Sequence, residues 1–287
     1  MMNNKTRNLL LTFLVLFLVS SCVSVKNIRT LDATTNTPRP LTVMAYNIRV
    51  GAGRADYGRN PYQLKDVPYL DTKPIIEAIR SKDPDIVGLQ EVLGFDQLAE
   101  IGEALNMNYA YEPHSVDSYG SWWGVGILSK FPIDEVHATE ISAGRGNTKS
   151  ILIADVNLFG KKVVLISAHK DAHLRDGKSF YKMRQRINST SEPVILIADL
   201  NIWPGDGRHT ILAERLVDTA ILAETQNAAF ARKRGTFPGK HNQSWGKRLD
   251  YILVDKQYFD VLDAGLIDEK HWSASDHLGY YTRIKLK

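Results

Sequence analysis

The sequence predicts a single α/β domain built from many short strands. Short runs apolar at successive positions recur along the chain, and segments with helical apolar spacing lie between several of them. No Pro/Gly/Ser-rich linker divides the 287 residues into two cores. The composition, 44% hydrophobic and 24% charged, is that of a globular chain rather than a disordered or fibrous one.

The N-terminus stands apart. Lys5 and Arg7 precede an apolar run over residues 9–19 and then Ser20-Ser21-Cys22. A basic start, a short apolar stretch and small residues make a secretory signal, too short for a stable bilayer span. The stretch Val19-Ser20-Ser21-Cys22 resembles a bacterial lipobox, which implies an acylated Cys22. The expected organisation is a signal peptide over 1–21, the acylated Cys22 and a polar tether over 22–40, and a catalytic domain over 41–287. The implied location is the bacterial cell envelope, exported and lipid-anchored at the outer membrane or cell surface. A plain signal peptide with a coincidental cysteine is the alternative. Cys22 is the only cysteine, so no internal disulfide can form.

The formal charge of +4 includes Lys5 and Arg7, and residues 1–21 hold no acid, so removing that segment leaves +2. This is not the electrostatic footprint of a dedicated nucleic-acid binder. Nucleic acid stays possible as a partner but is not indicated by charge, and a monomer is expected.

Strands are predicted, in order, over 42–50, 85–90, 124–129, 150–158, 162–168, 194–198, 249–254 and 280–286. Runs such as Val163-Val164-Leu165-Ile166 and Val194-Ile195-Leu196-Ile197 are apolar on both faces, as in strands inside a layered structure. Helices are predicted over 72–81, where Ile75, Ile76 and Ile79 share a side and Pro74 stands near the start, and over 95–105. Pro is harmless there because the first-turn N–H has no partner. Residues 174–188 form a basic, weakly amphipathic segment.

Most apolar runs end, or begin, at a polar residue suited to metal binding or proton transfer. The first ends at Asn47 and the next at Gln90-Glu91; later ones end at His169-Lys170-Asp171 and at Asp199-Leu200-Asn201. Asp250 heads a strand, and Ser275-Asp276-His277 precedes the last. Singly, an Asp or Asn after a strand is a turn or cap residue. Loops at strand ends converge on one crevice in layered folds, and turn chemistry alone gives no reason for this succession.

In that order these motifs resemble the endonuclease/exonuclease/phosphatase superfamily, the deoxyribonuclease I-like group. Its members include deoxyribonuclease I-like nucleases, abasic-site endonucleases, neutral sphingomyelinases and inositol polyphosphate phosphatases. The segment Gly126-Ile127-Leu128-Ser129-Lys130-Phe131-Pro132-Ile133 looks like a strand-turn of the same group, and the resemblance covers residues 41–287. It implies a four-layer sandwich, two packed mixed β-sheets flanked by helices. Two departures stand out: Ala198 replaces the usual Gly before the Asp-x-Asn pair, and Ala168-His169-Lys170-Asp171 keeps only His and Asp of Thr-His-Leu-Asp.

The resemblance implies a phosphoesterase that uses water and a divalent cation, magnesium or manganese. Hard cations prefer oxygen ligands; Glu91 is the leading ligand candidate, with Asn47 or Asp276 completing the shell directly or through water. Asp199 would orient or activate the water and Asn201 would hold the phosphate. His277, steered by Asp250 or Asp276, would act as base or phosphate donor, and His169 would donate to the scissile phosphate. The choice of base between Asp199 and His277 is open. The expected partner is a phosphate-ester substrate contacted by Asp171, Lys170, Arg234 and Trp122, with the membrane reached through the lipid anchor. Arg234 lies in a basic stretch, 232–241, read as a loop. Trp122, in Tyr119-Gly120-Ser121-Trp122-Trp123-Gly124, could stack on a base or sugar or enter a membrane interface, or one Trp of the pair could be buried. Lys170 near the site would favour an anionic substrate or point to solvent. The alternative to an enzyme is a catalytically silent binding lipoprotein that retains the fold.

Overall fold

The computed structural model describes residues 28–29, 37–54, 70–114, 123–144, 147–175, 177–238 and 246–287. Two mixed β-sheets lie face to face. One has seven strands in the order β1 (Ile28–Arg29), β4 (Asn108–Pro113), β5 (Gly124–Ser129), β3 (Ile86–Val92), β2 (Leu41–Asn47), β13 (Tyr280–Leu286) and β12 (Phe259–Leu266). The other has six: β10 (Leu216–Asp218), β11 (Asp250–Asp255), β9 (Val194–Asp199), β8 (Lys161–His169), β7 (Asn147–Leu158) and β6 (Ile133–Gly144).

Period-two alternation divides each central strand between two cores. On β2, Leu41, Val43 and Ala45 join the core between the sheets, while Met44 and Tyr46 join the outer one. On β9, Ile195 and Ile197 face inward, and Val194, Leu196 and Ala198 face out. The sheets approach closely where Gly88 meets Ile197: a Cβ on Gly88 would lie 2.4 Å from Ile197 Cγ2. α1 (Lys73–Arg80) and α2 (Gly94–Leu105) cover the first sheet through Ile75, Ile79, Leu98 and Ile101. α3 (Lys178–Asn188) covers the second through Phe180, Met183 and Ile187. The result is the expected four-layer sandwich.

Several boundaries differ from the sequence prediction. The first strand stops at Asn47, and Arg49–Gly51 turn sharply, with φ of 44°, 50° and 81° at Arg49, Val50 and Gly51. Residues 232–234, read from sequence as loop, are the last turn of α5 (Gln226–Arg234), which follows the one-turn α4 (Thr219–Leu222). Thr225 caps α5, its Oγ1 accepting from Ala228 N at 3.1 Å. At the other end Gly235 has φ of 72°, and a Cβ there would sit 2.5 Å from Gly246 O. Inside the stretch expected as tether, Ile28 and Arg29 pair antiparallel with β4, and Arg39 forms hydrogen bonds to both oxygens of Asp85. The expected signal peptide, Cys22 and Trp122 lie outside the described residues. No helix among the described residues is long and apolar enough to cross a membrane.

Candidate active site

Strand direction gathers the polar residues at one end of the sandwich. β2 and β3 run parallel with Asn47 opposite Gln90, and β8 and β9 run parallel with His169 opposite Asp199. β11 runs antiparallel to β9 and pairs Asp250, its first residue, with Asp199. β13 runs antiparallel to β2, which brings the preceding Ser275-Asp276-His277 to the same end. Ser275 Oγ fastens this segment by donating to Asn47 O at 2.8 Å.

Asp199 stands at the centre, 1% exposed. Asn47 Nδ2 donates to its Oδ2 at 3.1 Å, and Asn201 N donates to its Oδ1 at 2.9 Å. Its Oδ2 lies 3.6 Å from His169 Nε2 and 3.9 Å from His277 Nε2. Burial, and then the neighbouring Asp250, push the Asp199 carboxyl up to about 7. His277 Nδ1 is 2.8 Å from Asp250 Oδ2. Burial opposes charge on His277, but Asp250, Asp199 and Asp276 outweigh it and hold the imidazolium well above its ordinary range. The Phe237 ring packs 4.9 Å from the His277 ring. Thr236 ties the two walls together: its Oγ1 accepts from Leu249 N and Asp250 N, and its carbonyl accepts from Leu278 N.

On the opposite side, His169 Nε2 lies 3.8 Å from Glu91 Oε1 and 3.2 Å from Asn201 Nδ2. Asn201 Nδ2 also donates to Lys170 O at 2.9 Å. Glu91 and Asn201 both have positive φ, 55° and 49°. At Glu91 the strand register shifts between Gln90 and Val92. Such backbone re-aims a side chain at the end of a strand.

Other expected site residues are placed differently. Lys170 is fully buried, and its ammonium donates to Asp171 O at 2.5 Å and to Leu174 O, holding the turn after β8. Asp171 Oδ1 accepts from His173 N at 2.7 Å in the same turn. Both shape the loop beneath the site, because a fully buried ammonium engaged with its own carbonyls presents no donor to solvent. Asp276 lies 3.6 Å from Arg49 Nε, so a cation there would share it with a guanidinium. Arg234 is buried, its guanidinium 4.8 Å from the centre of the Trp272 ring. Trp123 is buried, 6% exposed. Its ring lies 5.2 Å from those of His169 and His114, and Lys149 Nζ is 3.3 Å from its centre. His114 and Lys149 were not expected from sequence: His114 follows β4, a strand of mixed polarity, and Lys149 lies just ahead of the predicted strand over 150–158, with no motif of its own.

Two sets of groups could serve a cation. Asp199, Asp250 and His277 offer ligand atoms that all lie within 4.8 Å of one another. His277 Nδ1 is engaged with Asp250, and its ring is held charged, so this trio is better suited to handling a proton. Glu91 and Asn47 offer oxygens, which a hard cation prefers, with His169 Nε2 3.8 Å from Glu91. Asp250 Oδ1 and Gln90 Oε1 are buried acceptors with no donor among the described residues, an excess of negative potential that positive charge would relieve.

The model of the Endonuclease/Exonuclease/phosphatase family matches residues 44–277. The chain belongs to that family. It is 23% identical over 254 residues to the inositol phosphosphingolipids phospholipase C of Saccharomyces cerevisiae, covering 72% of this chain and 53% of that protein. The chain thus spans about half the length of the yeast relative. It is 23% identical over 183 residues to the uncharacterized protein YbhP of Escherichia coli K12, 56% of this chain and 69% of that one. Among solved structures, the mannosyl-6-phosphatase of Bacteroides thetaiotaomicron superposes with a TM-score of 0.65 at 20% identity, over 85% of this chain and 99% of that one. The human Nocturnin catalytic domain gives 0.66 at 16% identity, over 91% and 97%. These structural likenesses establish the shared fold.

Proposed function

We propose that this family member is a divalent-metal-dependent phosphoesterase that hydrolyses a phosphodiester or phosphomonoester by attack of water. The observation that carries this reading is the convergence of Asp250, His277, Asp199, Asn47, His169, Asn201 and Glu91 from both sheets onto one end of the sandwich. The names of the relatives, a phospholipase C and a phosphatase, support the same chemistry.

Glu91, with Asn47 and Asp276, would hold magnesium or manganese, which when bound would neutralise phosphate charge and favour ionisation of a nearby water. Asp199, its carboxyl raised to about 7, would in its ionised form accept the proton of the attacking water. His277 stays protonated because Asp250 faces its Nδ1, which leaves Nε2 to donate to a phosphate oxygen. Asn201 and His169 lie side by side opposite it and would bind the remaining non-bridging oxygens. We further propose that acylated Cys22 fixes the chain at the cell envelope, and that it acts as a monomer.

The test is hydrolysis of bis-p-nitrophenyl phosphate and p-nitrophenyl phosphate with magnesium or manganese, against the same assay in chelator. Turnover lost in chelator and regained on adding metal is expected. Folded protein that turns over neither these nor a panel of natural mono- and diesters would overturn the reading. Glu91→Ala, Asp199→Ala and His277→Ala should each lower kcat by about a hundredfold or more, with far-UV circular dichroism unchanged.

A further inference from the structure

α3 carries Lys178, Lys182, Arg184 and Arg186 and no acidic residue. Its apolar side, Phe180, Met183 and Ile187, is buried in the core, so its basic side faces away from the protein. Arg184 is paired with Glu214 at 2.5 Å and Arg186 bonds Ser189 at 2.7 Å. Lys178 and Lys182 are exposed. The fold itself does not require such a helix surface, since burial of three apolar residues already docks it.

Among the described residues, two exposed large aromatic side chains stand on α3 and on the turn after β9. Tyr181 of α3 is 58% exposed, and Trp203, two residues beyond Asn201, is 51% exposed. A Cβ at Gly177 would meet Ile211 at 3.4 Å, so the start of α3 abuts the short helical turn Gly207–Ile211 that follows Trp203 in the chain. Around Gly205 and Gly207 a Cβ would meet nothing within 4 Å, and both glycines are exposed, so the turn after Trp203 lies at the surface. Lys247 Nζ lies 5.6 Å from the centre of the Trp203 ring. Lys247 pairs in turn with Phe237, which packs on His277. Aromatic rings with apolar bodies and polar edges settle at the boundary between headgroups and acyl chains, and lysines beside them add attraction to anionic lipid.

We infer that the rim of Tyr181, Trp203, Lys178, Lys182 and Lys247 seats the active-site mouth on an anionic lipid surface. This rests on the phosphoesterase reading for what is cut, which becomes a phosphate ester in or at a bilayer, but not for what is bound. The same charge would draw nucleic acid. Base stacking, however, wants rings lining a groove that follows the strand, and these two rings stand more than half exposed at the surface.

The test uses the full chain with Cys22→Ala throughout, so that acylation contributes equally to no sample. Co-sedimentation is measured on phosphatidylcholine vesicles with and without roughly 30% phosphatidylglycerol, an anionic fraction that sets a negative surface potential. Preference for the anionic vesicles is expected. It should fall on the order of a hundredfold in Lys178→Gln/Lys182→Gln/Lys247→Gln and several-fold in Trp203→Ala, while hydrolysis of soluble bis-p-nitrophenyl phosphate is unchanged in both. Equal partitioning of all variants, or no preference for anionic vesicles, would overturn the inference. Loss of binding to a single-stranded oligonucleotide without loss on vesicles would overturn it in favour of nucleic acid. Absence of hydrolysis by the parent chain would sink the phosphoesterase reading and leave the vesicle result standing.

Discussion

Asp199 is buried between Asn47, Asp250 and His277, and its carboxyl is lifted to about 7 by burial and by Asp250. A folded-state value above the unfolded one, about 4, contributes stability that is fully present below pH 4 and is lost as pH rises through 7. Asp199→Asn should therefore raise the melting temperature at pH 8 and give no such gain at pH 4, while abolishing turnover. Thermal melts at the two pH values check this; an equal shift at both would mean the carboxyl is not strained by ionisation. Where ionised Asp199 is the working form, kcat/KM should rise with pH through about 7. Asp250→Asn removes the main group holding His277 charged, so the alkaline limb of the same profile should move to lower pH. An alkaline limb that stays in place would show that Asp250 does not hold the His277 proton.

Single residues were also where the sequence could be read furthest. Asn47, Glu91, His169, Asp199, Asn201, Asp250 and His277 each stand at the end of an apolar run or just before a strand, and parallel pairing of β2 with β3 and of β8 with β9 brings those ends together. Lys170 and Asp171 lie at such an end too, yet they close their own turn, which depends on loop conformation and not on residue type. Lys149, His114 and Trp123 form one stack beside His169 from three separate strand edges. No local pattern marks a contact between positions so far apart in the chain.

At the scale of elements, the strands apolar on both faces were legible because both faces are buried. β6 and β12 were not, because exposed polar residues interrupt their apolar ones. α5 was hidden for a related reason: its residues Gln226–Arg234 bury only Ala228, Ala231 and Arg234, which leaves little apolar periodicity to detect. Two junctions make strong claims about stability. Arg248, just before β11, holds Asp218 through two hydrogen bonds of 3.1 and 2.5 Å, and Asp218 Oδ1 caps α4 by accepting from Ala220 N. Asp218→Ala should cost about 3–5 kcal/mol in urea unfolding, because it strands a buried guanidinium. Gly88→Ala should cost about 1–3 kcal/mol through overpacking, and Ile197→Ala in the same chain should recover part of it by vacating the space the new methyl needs. A cost of Gly88→Ala that is fully additive with that of Ile197→Ala would contradict the close approach.

Across the whole molecule, the two sheets are held as one body by a core drawn from both, and the site depends on that register. Asn47 and Glu91 come from one sheet, Asp199 and His169 from the other. The four layers followed from the resemblance of ordered motifs and not from periodicity, which marks faces but does not say which sheet a strand joins. The expected anchor has its own consequence: Cys22→Ala should move the protein out of membrane fractions, and a wild-type chain already soluble would remove the anchor from the account.

The central claim, that a cation held near Glu91 lets this cluster hydrolyse a phosphate ester, is met most directly by a metal titration of chelator-stripped protein. Hydrolysis of bis-p-nitrophenyl phosphate is followed as manganese is added back to the wild type and to Glu91→Ala. The wild type should regain saturable turnover, and Glu91→Ala should need far more metal or fail to recover. Turnover that persists in the stripped wild type, or that Glu91→Ala recovers at the same metal concentration, would contradict the account.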